Sequence, residues 1–252
     1  MADIEVMGEF PVGDVLFASC DSKYFNEFGI PLIYSCNIAG NNLHLHVMYP
    51  TDDDYSTATV LKNDVDIDLT VSYETGGPKT REYYSCNRFI IAPHLISNGA
   101  NKLLIMDTDC LVMKTYEWSE ADLGLFLRDP LPGTVGWEKE GTHVAAGMVL
   151  YTKKSLPFAQ EVAQALSQNE LIWFVDQVAL WSCYKKHNRS ISADPTYPNF
   201  VQFTNEDMDW EFIEGSTIWT GKGPRKYDNP TYVAKQQEFR DIFSGAGGRY
   251  WK

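Results

Sequence analysis

Positive charge is scarce in the first half of this chain. Through Phe126 there are 7 Lys and Arg against 19 Asp and Glu; beyond it the balance is 14 against 15. A net charge of −13 repels nucleic-acid backbones and excludes a general nucleic-acid binder. Long hydrophobic runs are missing as well. No stretch reaches 18 uninterrupted apolar residues, so no transmembrane segment is expected. Cysteine is sparse and unpaired in pattern: Cys20, Cys36, Cys86, Cys110 and Cys183 form no C-x-x-C. The start, Met1-Ala2-Asp3-Ile4-Glu5, lacks the basic-then-apolar order of a signal peptide. Together these predict reduced, mostly buried thiols and a cytoplasmic location. Asn188-Arg189-Ser190 matches a glycosylation acceptor but carries no meaning without secretion. There is no internal repeat and no low-complexity linker.

What is present is ordinary globular material. Hydrophobic residues make up 44% and charged residues 22%, which excludes a disordered, collagenous or coiled-coil chain. A chain of 252 residues can bury roughly 70–75% of its unfolded surface and needs no disulfide or metal to fold. Val15 to Ser19 reads as a buried strand running into a polar loop at Asp21-Ser22-Lys23. A returning helix is predicted over Phe28 to Asn37, with Pro31 near its first turn. Leu43 to Met48 reads as a second strand and Val65 to Ser72 as a third. On that reading Asp64, Asp66 and Asp68 lie on a strand's solvated face, and Asp52-Asp53-Asp54 beside a turn. A helix is predicted over Glu82 to Ile96, ended by Asn98-Gly99. Lys102 to Asp107 is the strongest buried strand. Leu123 to Leu127, Val144 to Tyr151 and Phe200 to Phe203 read as further strands. Phe158 to Ser167 and Phe174 to Lys186 read as helices, and the Gly-rich tail from Gly245 as frayed.

Strands alternating with helices predict an α/β fold with a mixed, mainly parallel sheet flanked by helices. Ligands of such sheets sit beyond the carboxyl ends of the strands. That rule selects the loops after Ser19 and after Met106. The second holds Asp107-Thr108-Asp109, directly after Leu103-Leu104-Ile105-Met106. Side chains at i and i+2 of an extended segment point the same way. Two hard oxygen donors on one side suit Mg²⁺ or Mn²⁺, with phosphate oxygens completing the shell. Two acids between apolar stretches are costly unless a cation or donors satisfy them.

The stretch from Tyr83 to Met113 (YYSCNRFIIAPHLISNGANKLLIMDTDCLVM) resembles the core of glycosyltransferase family 8 and its GT-A-fold relatives. There, an aromatic-x-x-x-Arg helix leads into an apolar strand ending in D-x-D. Three more segments follow that family's order: Val15 to Tyr24, Val144 to Leu150, and Phe174-Val175-Asp176-Gln177. The likeness spans roughly residues 14 to 226, within a single GT-A-like domain over 1–252 whose residues 227–252 form a tail. It implies a Rossmann-like sheet and transfer of a sugar from a nucleotide-diphospho-sugar, a UDP-sugar by default, to a hydroxyl acceptor such as a glycan. It also implies a divalent metal, Mn²⁺ or Mg²⁺, at Asp107 and Asp109, and a retaining outcome. By the same resemblance Ser19, Asp21 and Tyr24 face the base, where Tyr24 could stack on its ring. Arg88 and Thr108 belong to the diphosphate and donor-sugar site, and Gly147 lies on the strand beside it. A guanidinium is suited to phosphate by its bidentate fork. Asp176 and Gln177 match the catalytic pair beside the donor sugar. Simpler structural roles stand beside these: an ion pair for Arg88, a helix cap for Asp176, and packing for Tyr24.

Two departures stand out. Ala145 occupies the position of the family's Asn. In the C-terminal H-x-x-G-x-x-K-P-W motif, the metal-binding His falls at Ile218, which cannot ligate. Gly221, Lys222, Gly223, Arg225 and Lys226 keep that motif's glycine-and-basic character. Such a loop allows close backbone approach and can close over a leaving diphosphate. His143 could also face the cleft, though a lone His is more often structural. The competing readings are a non-catalytic sugar-nucleotide or glycan-binding domain of the same fold and a sugar-phosphate nucleotidyltransferase. The absence of glycine in Ala18 to Lys23 counts against the second. Oligomeric state is not legible.

Overall fold

The computed structural model describes residues 5–191 and 199–247, without the side chains of 188–191 and 245–247. Residues 1–4, the side chains of the Asn188–Ser190 match and the tail from 248 lie outside this description. Eight strands form one sheet in the order β1-β4-β3-β2-β5-β8-β7-β9. They are β1 (Glu5–Gly8), β2 (Gly13–Asp21), β3 (Leu43–Met48), β4 (Leu69–Thr75), β5 (Ala100–Met106), β7 (Leu123–Leu127), β8 (Val144–Thr152) and β9 (Phe200–Gln202). A three-stranded sheet joins β6 (Cys110–Val112), β10 (Met208–Asp209) and β11 (Ile218–Thr220) in the order β10-β11-β6. In the large sheet β4, β3, β2 and β5 run parallel. β8 runs antiparallel to β5 and β7, while β7 and β9 are parallel. β2, β5 and β7 therefore end at the same edge.

The helices are α1 (Ser22–Tyr24), followed by a π-helical turn over Phe25–Gly29, α2 (Ile30–Ala39), α3 (Asp52–Asp64) and α4 (Arg81–Ser97). They continue with α5 (Gly136–Gly141), α6 (Leu156–Gln168), α7 (Val175–Ile191), α8 (Arg225–Asp228) and α9 (Pro230–Gly247). The central strand β5 shows how the layers form. Leu103 and Ile105 pack into one core with Phe89 and Leu95 of α4, Phe158 and Val162 of α6 and Leu180 of α7. Leu104 and Met106 pack into the opposite core with Leu32 and Ile33 of α2, the small sheet, and Tyr232 and Phe239 of α9. A strand covered on both faces reads as a continuous apolar run, as this one does. All five cysteines are free and buried. Among the described residues, no helix is long and apolar enough to cross a membrane.

The expected third strand is corrected. Asp52–Asp64 is a helix, and the strand starts at Leu69. Thr51 caps that helix from its side chain, and Asp54 returns a bond to the Thr51 backbone, forming a capping box. Asp64 ends the helix, and Asp66 and Asp68 precede the strand rather than lining it. Residues 227–247, read as tail, run largely as α8 and α9, and α9 packs against α2.

Candidate active site

The edge where β2, β5 and β7 end gathers the charged residues singled out in the sequence. β5 stops at Met106, and Asp107 opens a turn closed by the Cys110 amide donating to the Asp107 carbonyl at 3.2 Å. The extended geometry that would align the two aspartates does not persist. Each instead takes its own cation. Arg88 Nη1 lies 2.8 Å from Asp107 Oδ1, and Lys226 Nζ lies 2.6 Å from Asp109 Oδ2. Arg88 Nη2 also reaches Asp176 Oδ2 at 3.4 Å and donates to the Ala146 carbonyl at 3.3 Å. The Arg88 side chain thus joins helix α4 to the ends of β5, β8 and α7. Its Nε is buried and has no hydrogen-bond partner among the described residues.

The electrostatics follow from burial. Asp109 is pushed up to about 6, first by burial and then by repulsion from Asp107, against the pull of Lys226. Burial also raises Asp176, partly offset by Arg88. For Lys226, burial works to lower the pKa, but Asp109 and the Tyr24 hydroxyl outweigh it and the net shift is upward. Burial and the neighbouring Arg128 hold Lys222 down to about 8. The backbone fixes this arrangement. The Asp109 carbonyl accepts from the Gly221 amide and from the Tyr232 hydroxyl, both at 2.8 Å. A Cβ on Gly221 would stand 2.7 Å from Lys226 Cβ, so glycine is needed for the loop to close here. A Cβ on Gly147 would stand 3.0 Å from Asp107 Oδ2.

Several expected residues are engaged in structural roles. Ser19 Oγ donates to Asn87 Oδ1 at 2.7 Å, and Thr108 Oγ1 donates to the Ser19 carbonyl at 3.1 Å. Asp21 caps the turn that follows it, accepting from the Tyr24 amide at 2.8 Å. Tyr24 packs on Phe28 at 5.0 Å between ring centres and accepts from Lys226 Nζ at 3.0 Å. Arg225 pairs with Glu211 at 3.1 Å on the outer side of the loop. Gln177 Oε1 accepts from Arg128 Nη2 at 3.2 Å. His143 stacks on Trp181 at 4.4 Å, the structural role expected of a lone histidine. Ile218 is fully buried in β11 opposite Val112.

The sequence reading missed Arg128, Trp210 and Tyr232. Arg128 follows the last residue of β7, so the strand-end rule applied to β7 would have found it. Tyr232 belongs to α9, a helix not predicted at all.

Asp107 and Asp109 are the residues that would hold a divalent cation. Each spends one oxygen on a basic side chain, leaving Asp107 Oδ2 and Asp109 Oδ1 without a hydrogen bond or ion pair among the described residues. Asp109 is raised chiefly by burial and then by Asp107, so an added cation would favour its ionised form. Among the described residues no group of three or more His, Cys, Asp or Glu converges on a metal position. Two carboxylates completed by substrate phosphates and water is a shell typical of Mg²⁺.

No protein-family model matches the chain, and no curated protein matches it by sequence. Solved structures do match. One is the glycosyltransferase GlyE of Streptococcus pneumoniae, with a TM-score of 0.57, 11% identity and 93% of this chain covered. This chain spans 64% of GlyE. Another is the galactosyltransferase LgtC in complex with donor and acceptor sugar analogs, with a TM-score of 0.60 and 10% identity. That match covers 91% of this chain and 95% of LgtC. The fold is GT-A-like. Its sheet, flanked on both faces, has the architecture of these glycosyltransferases, as the motifs in residues 14 to 226 led us to expect.

Proposed function

We propose that the chain transfers a sugar from a nucleoside diphospho-sugar, a UDP-sugar first among those to be tried, to a hydroxyl on a glycan or similar acceptor. The observation that carries this is the four-residue charge cluster of Arg88, Asp107, Asp109 and Lys226 at the carboxyl edge of β5, inside a GT-A-like sheet. In the reaction the anomeric carbon–oxygen bond to the diphosphate breaks as the acceptor oxygen bonds to that carbon. The acceptor proton leaves on a departing phosphate oxygen, and the free nucleoside diphosphate is released. The outcome implied by the family resemblance is retention.

The protein's contribution is electrostatic and positional. Arg88 and Lys226 hold the acids in place and offer N–H donors to the diphosphate as negative charge develops on it. Asp107 and Asp109 would hold Mn²⁺ or Mg²⁺, which supplies Lewis-acid stabilisation of the leaving group when bound. Asp176, against Arg88, is placed to bond a donor-sugar hydroxyl or to face the positive charge of an oxocarbenium-like state. Gln177 stands beside it. The loop from Gly221 to Lys226 covers the phosphates through Lys226, and Tyr24 closes the base side.

Calorimetric titration tests this reading. UDP, GDP and dTDP are each compared with their monophosphates, with Mn²⁺ present. One diphosphate should bind at least about tenfold tighter than its monophosphate, the scale of one charge-assisted contact. Equal binding of diphosphate and monophosphate for every base would contradict it.

A further inference from the structure

Among the described residues, two half-buried cations at this edge, Arg128 and Lys222, form no ion pair. Arg128 Nε donates to the Thr142 carbonyl at 2.8 Å and its Nη2 to Gln177 Oε1 at 3.2 Å, both neutral acceptors. Lys222 Nζ rides over the Trp210 ring, 5.0 Å from its centre. Among the described residues neither lies within ion-pair distance of a carboxylate. They are neighbours through Trp210, whose ring also packs at 5.5 Å on Phe126, two residues before Arg128. The repulsion of Lys222 by Arg128 agrees with that placement. Two half-buried cations that repel each other are unfavourable unless an anion joins them. In a chain of net charge −13, a local basic pair is also what allows an anion to approach.

We propose that Arg128 and Lys222 form an anion subsite for the acceptor, so that the sugar receiving the transfer carries a carboxylate or a phosphate. This rests on the glycosyl-transfer reading above. The strand order supplies the direction. The base loop follows β2, the aspartates follow β5, and Arg128 follows β7 at the same edge, with β8 between β5 and β7. Arg128 therefore stands two strand spacings across the sheet from the aspartates, on the side away from the base, and further out along it, since its amide donates to the His143 carbonyl whereas Met106 pairs with Met148. Arg88 and Lys226 are the cations paired directly with Asp107 and Asp109, and Arg128 and Lys222 are not. A donor laid from the β2 loop across β5 puts its sugar near Asp176 and Gln177, and Arg128 is bonded to Gln177. An anion held at Arg128 thus belongs to the molecule meeting the sugar from the far side.

The test uses the intact chain, with and without UDP, and ligand-observed NMR titration of three probes. These are methyl glucoside, methyl glucuronide and methyl glucoside 6-phosphate. One of the charged probes should bind about tenfold more tightly than the neutral one, as expected of a charge-assisted hydrogen bond. That preference should fall to within about twofold in Arg128→Gln, and Lys222→Gln supplies a second variant should the first not fold. Equal binding of all three probes to the wild type overturns the subsite, as does a preference that survives both substitutions. A tenfold loss of UDP affinity in Arg128→Gln with the preference intact assigns the pair to the diphosphate, which also overturns it. The transfer reading fails differently: no donor turns over, whatever the probes show.

Discussion

Lys226 Nζ donates to Asp109 Oδ2 at 2.6 Å, and the two side chains are only 12% and 10% exposed. Removing one partner of such a pair leaves a buried charge alone and costs about 3–5 kcal/mol. For a chain of this size that is a fall in melting temperature of roughly 10 °C. Lys226→Met should show this loss in a thermal melt. Mn²⁺ should then raise its melting temperature more than it raises that of the wild type, because the ion replaces the missing charge. An equal Mn²⁺ shift in both would mean that the ion does not bind beside Asp109.

Arg88 bridges Asp107 and Asp176 from within the core. Lys has one point charge and cannot reproduce the two-armed reach of the guanidinium. Arg88→Lys is expected to fold but to lose donor turnover at least about a hundredfold, the scale of one lost electrostatic donor. Arg88→Leu should also lose several kcal/mol of stability. Steady-state kinetics beside urea unfolding separate the two effects. Full turnover in Arg88→Lys would show that the arginine serves only to hold helix and sheet together.

Gly147 leaves room for the Asp107 carboxylate. In Gly147→Ala the new methyl would meet Asp107 Oδ2 at 3.0 Å and Met208 Sδ at 3.1 Å, closer than ordinary contact. The neighbours must give by a few tenths of an ångström. Turnover should fall while the melting temperature changes little, since the shift is local. A large fall in melting temperature would instead place the glycine's role in packing.

Lys222 is held to about 8 by burial and Arg128, with Asp107 opposing and Arg225 reinforcing the shift. A lowered folded pKa means that the unfolded chain binds this proton more tightly. The associated stability is present above the unfolded value near 10.5 and is lost as pH falls through about 8. Anion binding runs the other way, since only the protonated amine attracts an anion. Affinity for a charged acceptor probe should weaken as pH rises through about 8, and Lys222→Arg should move that decline to far higher pH. A flat profile in the wild type from 7 to 9 would exclude Lys222 from the anion site.

The sequence was most legible where burial dominates local pattern. β5 and α4 announced themselves because an unbroken apolar run and a spaced apolar face leave few alternatives. Asp107 and Asp109 stood out as acids ending that run. The helix Asp52–Asp64 was hidden because only Asp54, Ala58 and Leu61 are buried along its length, too few to set a period. The alternation in Val65–Ser72 imitated a strand, but its first half is the connection out of that helix. β6, β10 and β11 are two or three residues long, below the length at which alternation is readable. The partners of the site were harder still. Lys226 meets Asp109 across 117 positions, and the Arg128–Trp210–Lys222 group joins a strand end to two loops. Such pairings follow from topology rather than local pattern.

Donor turnover is the measurement closest to the central claim. UDP-, GDP- and dTDP-sugars would be incubated with the chain in Mn²⁺, Mg²⁺ or EDTA, with Asp109→Asn alongside. We expect hydrolysis of one donor, lost in EDTA and in the variant. Hydrolysis that persists in EDTA would retain the transferase and remove the metal from Asp107 and Asp109. No hydrolysis of any donor, with no donor-induced rise in melting temperature, would contradict the account and favour a non-catalytic domain of the same fold.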